Sequence, residues 1–418
     1  MKRFFVCILI VLLAYSVFAE KKITVLQIGD IKFANGHTMW GDAIAKLKVV
    51  YPDVIVEFVS VDQTGGTTMT MDAMLAAGSA PNIYYDSQVR TGKYLVKEYA
   101  LPLNKLVSDI NKYDPAAIAP FTKKGDVLGL PMPGSSQGMF INLDIMKEIG
   151  YTVPVDWTIS DFLKMAELVK QKYNGKKYAT GFFAASQSGD YLINNWFASF
   201  GVPFYENGNY DKPVMADKGG VKVYEFYQLL MKNGYIYKDS ANIQDDDFIL
   251  QWCAGNIAAT AFFPAWIKAY LDSAIAQGTI TKYPNYTFVA FPRAPGVTKV
   301  PTYTNGCGVV IHKTGTDLDI ISAKLVEFLG DAESQGNQAK YQNNAPIRSD
   351  ATYFTTDPYL KMIDGIIAKN GVMDVGVSDP RFPERRAIQY PILQKLLAFK
   401  ITPEDAIKEY QKKMSEVK

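Results

Sequence analysis

Tyr51-Pro52-Asp53-Val54-Ile55-Val56-Glu57-Phe58-Val59 places a proline turn in front of a run of β-branched and aromatic residues. That is the composition of a strand starting where a helix has been made to stop. Working outward, Ile23-Thr24-Val25-Leu26-Gln27-Ile28 is an earlier run of the same kind, and the stretch from Trp40 to Tyr51 between them reads as helix. Strand, helix, strand predicts a parallel unit, because parallel strands need a crossover connection. Downstream, Met69 to Ala77 predicts a second helix ending at Gly78, and Asn82-Ile83-Tyr84-Tyr85-Asp86 a third short strand after Pro81. The pattern predicts an α/β fold. In open α/β sheets ligands sit off the carboxyl ends of the strands, and Asp62 and Asp86 occupy matching ends of the second and third.

The N-terminus carries a different signal. Lys2 and Arg3 precede an apolar run from Phe4 to Tyr15 and then Ser16-Val17-Phe18-Ala19, the charged, apolar and small-residue parts of a secretory leader cleaved after Ala19. A retained anchor would need about 20 apolar residues, more than this run offers. Cys7 lies inside the apolar run and not at a cleavage boundary, so no lipid attachment is expected. Without residues 1–19 the chain carries 42 basic and 42 acidic residues, a balance that argues against nucleic acid or an anionic membrane as partner. Two cysteines remain, Cys253 and Cys307, too few for a disulfide scaffold and expected to be free, buried thiols. A periplasmic or extracellular location follows.

Tyr51-Pro52-Asp53-Val54-Ile55-Val56-Glu57 followed by Leu75-Ala76-Ala77-Gly78-Ser79-Ala80-Pro81-Asn82 resembles the paired signature of the family 1 extracellular solute-binding proteins, the maltose-binding-like receptors of ABC sugar importers. The resemblance continues in order. Gly129-Leu130-Pro131 with Asn142-Leu143-Asp144-Ile145-Met146 is similar to the family's crossing strand and following helix. Val153-Pro154-Val155-Asp156-Trp157-Thr158-Ile159-Ser160-Asp161-Phe162 is similar to its Pro-Trp-Thr helix start, with Ser160 as N-cap and Phe162, Met165, Ala166, Val169 and Tyr173 as the apolar stripe. Cys253 to Trp266, Ala323 to Leu329, Asn344 to Arg348 and Thr402-Pro403-Glu404-Asp405-Ala406 complete the series, the last with Thr as cap and Pro at the first helical position.

This resemblance implies a two-lobe, type II-like binding-protein fold with a ligand cleft and hinge crossings. We place the first lobe at 20–133 with 290–345 and the second at 134–289 with 346–418, guided by Pro131, Pro133, Gly134, Pro292, Pro295, Gly296 and Pro346. The partners it implies are a small carbohydrate or polyol and the permease subunits of an ABC importer, with the receptor acting as a monomer and needing no cofactor.

Motifs for chemistry are weak by comparison. Gly134-Ser135-Ser136-Gln137-Gly138 fits the G-x-S-x-G spelling of a nucleophile elbow, but a helix should follow and Met139-Phe140-Ile141-Asn142 reads as strand. Two histidines, His37 and His312, leave too few soft ligands for a transition-metal site. Asp245-Asp246-Asp247 reads as an acidic helix start, since a calcium loop needs alternating ligands and a central glycine. A secreted carbohydrate-active enzyme stays open as the alternative; it would need two facing carboxylates.

A carbohydrate site needs flat apolar faces for the C–H side of the ring and planar polar groups for its hydroxyls. Of 5 tryptophans, Trp157, Trp196 and Trp252 are assigned to packing. Trp266 matches the family position that stacks on sugar, and Trp40, after His37, lies where the first lobe meets the cleft. The polar candidates are Asp62, Asp86, Gln137 at the crossing, Ser186, Asp190, Asn195, Asn305 in the Tyr303-Thr304-Asn305-Gly306 turn, and Arg348. Arg381 to Arg386 reads as a surface charge run, with an alternative that the resemblance implies: the family often approaches the pocket in this segment, where an arginine would read an acidic sugar. A monosaccharide, a short oligosaccharide and a cyclitol all remain possible ligands.

Overall fold

The computed structural model describes residues 21–27, 37–60, 66–342, 346–351, 373, 375–376, 379 and 381–418. Residues 1–19, where a leader is expected, and Asp62 lie outside the described residues. The first five elements follow the order read above: β1 (Lys21–Gln27), α1 (Met39–Val50), β2 (Val54–Ser60), α2 (Gly66–Ala76) and β3 (Ile83–Ser87). Thr38 caps α1 by accepting the Gly41 N–H, satisfying a donor that the first helical turn leaves unpaired. Gly78 closes α2 at φ 67°, a left-handed conformation that glycine takes without steric cost.

The chain continues through α3 (Gln88–Thr91), β4 (Leu130–Ser136), β5 (Gly138–Asn142), α4 (Ile159–Tyr173), α5 (Asp190–Ser199), α6 (Val221–Lys232) and α7 (Asp245–Cys253). Then come β6 (Ala259–Phe262), α8 (Pro264–Ala276), β7 (Tyr286–Val289), β8 (Thr304–Ile311), α9 (Asp317–Leu329), α10 (Ala332–Gln342), α11 (Phe382–Leu397) and α12 (Pro403–Glu416).

Two sheets organise these elements. The larger has the order β2-β1-β3-β8-β4, the smaller β6-β5-β7. In the larger sheet β1 runs parallel to β2 and β3, whereas β8 runs antiparallel to β3 and β4. The carboxyl ends of β1, β3 and β4 therefore share one edge with the start of β8. Strand periodicity divides the sheet's side chains between two cores. Ile23, Val25, Tyr85, Val309 and Ile311 face Trp40 and Leu325, while Leu26, Tyr84 and Val310 face Tyr94 and Phe121. Burial on both faces explains why Ile23, Val25 and Leu26 stand close together in the inner part of β1, after the exposed Lys21 and Lys22. The second lobe has its own core, in which Phe140, Ile141 and Phe288 of the small sheet meet Phe162, Trp196, Trp252 and Leu393 from the surrounding helices.

Several expectations need adjustment. Thr158, not Ser160, caps α4, in a reciprocal box with Asp161, whose carboxylate accepts the Thr158 N–H at 2.8 Å. Phe162, Met165, Ala166 and Val169 form the buried stripe as read, with Tyr173 packed at its margin. The first crossing lies at Gln137, three residues beyond the expected boundary, because Pro131, Pro133 and Gly134 belong to β4. That strand is at the sheet's edge, where a missing N–H costs no ladder bond. The second is displaced from 290, since Phe291, Ala294, Val300 and Tyr303 still pack into the second core and β8 begins only at Thr304. The third is displaced from 345. Ile347 packs on the first-lobe core and its carbonyl accepts the Asp114 N–H, whereas Met373 and Val375 lie in the second core.

Candidate functional site

The shared strand edge of the first lobe carries Gln27 and Asp86. Asp86 is fully buried, and its carboxylate accepts from the Tyr84 hydroxyl at 2.9 Å, the Ser87 N–H at 2.5 Å and Arg90 Nη1 at 3.3 Å. It holds the start of α3 against the sheet. Gln27, which the sequence reading passed over, is also buried, and its Oε1 accepts no hydrogen bond within the protein. The available signal was its place at the carboxyl end of a parallel strand, next to the apolar Val25 and Leu26. Trp40 is core and offers no surface to a ligand. It is fully buried, edge-on to Phe58 and Tyr85 at 5.6 and 5.7 Å between ring centres. His37 is exposed just ahead of α1, its Nδ1 2.8 Å from Asp42.

Gln137 and Asn195 come together at the crossing. Asn195 Nδ2 donates to Gln137 Oε1, and Asn195 Oδ1 accepts the Tyr303 N–H at 3.0 Å. The Gln137 N–H donates to the Tyr303 carbonyl at 2.9 Å, the Thr302 hydroxyl donates to the Gln137 carbonyl, and Met373 N–H donates to the Thr302 carbonyl. One amide network thus ties together three stretches of the described chain, at Gln137, at Thr302–Tyr303 and at Met373. Gln137 and Asn195 are both fully buried. In this conformation their amides bond to each other and form the joint. Gln137 Nε2 is left without a partner. Ser136 is buried, and β5 follows it after one residue, so the strand-turn-helix context of a nucleophile elbow is not there.

On the second lobe, Trp266 lies in the first turn of α8 with 39% of its surface exposed. Its indole packs on Phe263 at 4.8 Å and Phe262 at 5.6 Å, and Phe263 in turn meets Tyr303 at 6.2 Å. The ring is therefore propped beside the crossing, and α8 comes close to β4 of the first lobe. One turn further, Tyr270 donates to Asp246. Asp245 beside it has its carboxyl pushed up by burial, with the Asp246 charge adding to the effect. Ser186 caps the short turn 187–189, its Oγ accepting from Ser188 N–H at 3.2 Å. Tyr270 and Asp245 were not singled out from sequence. The i, i+4 spacing of Trp266 and Tyr270 was the available clue.

Other candidates stand elsewhere. Asp190 is buried in a two-pronged pair with Arg386, at 2.5 and 2.7 Å. Arg385 pairs with Asp379 at 2.5 Å, and Arg381 with Asp379 and Asp211. The expected surface run is a largely buried ion-pair network, since Arg385 and Arg386 point inward from the first turns of α11. Arg348 is also buried, bound through Nε and Nη2 to Asp350 at 2.9 and 2.8 Å, with its guanidinium 5.2 Å from the Tyr113 ring centre. It fastens residues 346–350 to the first lobe and joins none of the groups above. Asn305 sits at a register break between β8 and β4, on the shared strand edge. Cys253 and Cys307 are free, and burial pushes their thiols up to about 12 and about 11. Among the described residues no cluster of three or more His, Cys, Asp or Glu side chains is placed to hold a metal, and no helix is long and apolar enough to cross a membrane.

Comparison with known proteins agrees with this architecture. Residues 42–361 match the family model described as bacterial extracellular solute-binding protein. No curated protein matches by sequence. Among solved structures, the GacH receptor of Streptomyces glaucescens, determined unliganded and with acarbose, is similar at TM-score 0.78 and 13% identity, covering 95% of this chain and 98% of that one. An ABC transporter solute-binding protein from Thermotoga lettingae bound to α-D-tagatose gives 0.77 and 17%, over 95% and 99%. UgpB from Mycobacterium tuberculosis with glycerophosphocholine gives 0.75 and 14%, over 91% and 94%.

Proposed function

Because the chain belongs to the bacterial extracellular solute-binding family, we propose that it captures a neutral sugar or polyol between its two lobes and delivers it to the permease of an ABC importer. The observation that carries the sugar reading is Trp266, a large apolar ring left 39% exposed at the start of α8, beside the crossing. Burying an indole is strongly favourable, so one held open by its own Phe262 and Phe263 supports is suited to the C–H face of a sugar ring. Tyr270 and Asp246 beyond it supply polar groups for hydroxyls.

Charge supports an uncharged ligand. An unpaired buried arginine would favour a phosphate or carboxylate, and the buried arginines among the described residues, Arg348, Arg385 and Arg386, are each matched to an aspartate. The solved relatives bound to acarbose and to tagatose favour a carbohydrate. The one bound to glycerophosphocholine marks the class this charge pattern disfavours. The role requires binding and closure about the Gln137 joint, with no covalent step. The leader read at residues 1–19 fits export before the fold forms.

A thermal-shift panel of sugars, polyols, sugar acids, phosphodiesters, amino acids and metal ions tests the reading. A true ligand at about 100 times its Kd stabilises by about 2.7 kcal/mol. A shift with neutral carbohydrates or polyols alone is expected. A shift confined to charged compounds or amino acids overturns the substrate class, and recovery of chemically altered ligand overturns the receptor role.

A further inference from the structure

Between α5 and α11 the second lobe has a small, partly open cavity of about 10 Å³ lined by Asn194, Arg385 and Gln389, with the Asp190–Arg386 pair in its wall. Arg385 Nε, Gln389 Nε2, Gln389 Oε1 and Asn194 Oδ1 are all buried and have no hydrogen-bond partner in the protein. The Tyr224 hydroxyl approaches Gln389, but outside hydrogen-bond geometry. The three side chains are 1 to 3% exposed. An unmet buried polar group costs about 1–3 kcal/mol, so four around one cavity call for an occupant.

We infer that this cavity is a binding site for a single structural water, bridging Arg385, Gln389 and Asn194. Its volume is that of one water, and a buried water needs two to four polar partners. The unmet atoms are two donors, Arg385 Nε and Gln389 Nε2, and two acceptors, Gln389 Oε1 and Asn194 Oδ1. That complement matches the two lone pairs and two protons of water. A halide would use the donors but would be repelled by both amide oxygens, and the wall's guanidinium charges are already balanced by Asp190 and Asp379. The water links α5 to α11. Asn194 holds it, and the next residue, Asn195, holds the crossing through Gln137. Arg385 extends the same chain of bonds to Asp379, beyond the third crossing. The site therefore braces the helix that carries the joint.

A crystal structure of the native protein that resolves ordered water is the direct test, with one water hydrogen-bonded to Arg385, Gln389 and Asn194 expected in the cavity. A dry cavity overturns the inference. So does an anomalous peak there after a bromide soak, which would make it a halide site. Gln389→Leu removes two of the four bonds and should expel the water and lower the melting temperature by about 2–4 °C. An unchanged or higher melting temperature counts against the bridge. If that variant does not fold, the native crystal still decides.

Discussion

Asn195 reaches from α5 to Gln137 and grips the crossing on both sides, donating to the Gln137 side chain while accepting the Tyr303 N–H at 3.0 Å. Truncating it strands a buried backbone donor and a buried amide oxygen at once. Asn195→Ala is expected to destabilise the protein by about 2–6 kcal/mol in denaturant unfolding, about 1–3 kcal/mol for each stranded group. Stability within error of the native protein would show that water or a neighbouring side chain replaces both bonds.

Trp266 should behave in the opposite way. It is 39% exposed, with its indole packed on Phe262 and Phe263. Trp266→Ala is expected to leave the ligand-free melting point nearly unchanged, as for most surface substitutions, and to abolish the shift produced by the best carbohydrate in the panel. A large loss of ligand-free stability would reassign the indole to packing.

The Asp190–Arg386 pair is buried on both sides, and removing one partner leaves a charge in a medium that cannot solvate it. Arg386→Leu is expected to cost about 3–5 kcal/mol. Equilibrium unfolding would check it. A neutral result would mean that Asp190 finds water or a proton in its new surroundings.

These residues also show where sequence was informative. Thr402 with Pro403, Gly78 and the three opening strands are specified by neighbours in the chain, through caps, φ preferences and runs of β-branched and aromatic residues, so local pattern finds them. The Thr158–Asp161 box was equally local and could have been read in place of Ser160. The arginines of α11 could not. Arg386 meets Asp190 across 196 residues and Arg381 meets Asp211 across 170, so a pairing that only the fold creates looks in one dimension like a solvated charge run. Trp40 and Trp266 make the same point: identical side chains, one sealed between Phe58 and Tyr85, the other open beside the crossing. The prolines near 131–134 misplaced the first crossing because proline marks sheet edges as readily as loops.

Asp245 gives a prediction with a sign that depends on pH. Burial, reinforced by Asp246, raises its carboxyl above the ordinary value, so the folded state favours the protonated form. Its stabilising contribution is then fully present below the unfolded pKa, about 3.9, and is lost as pH rises through the folded value. At neutral pH the ionised group opposes folding. Asp245→Asn is therefore expected to raise the ligand-free melting temperature at pH 7, with the gain vanishing below about pH 4, where both side chains are neutral. Since Asp245 stands beside Asp246 and Tyr270, one turn along α8 from Trp266, the same variant should weaken the carbohydrate-induced shift, as expected where a strained charge is kept for binding. Melting curves of native and variant protein at pH 7 and below pH 4, with and without sugar, separate the two effects. A gain that persists in acid would place the cost in packing and not in charge.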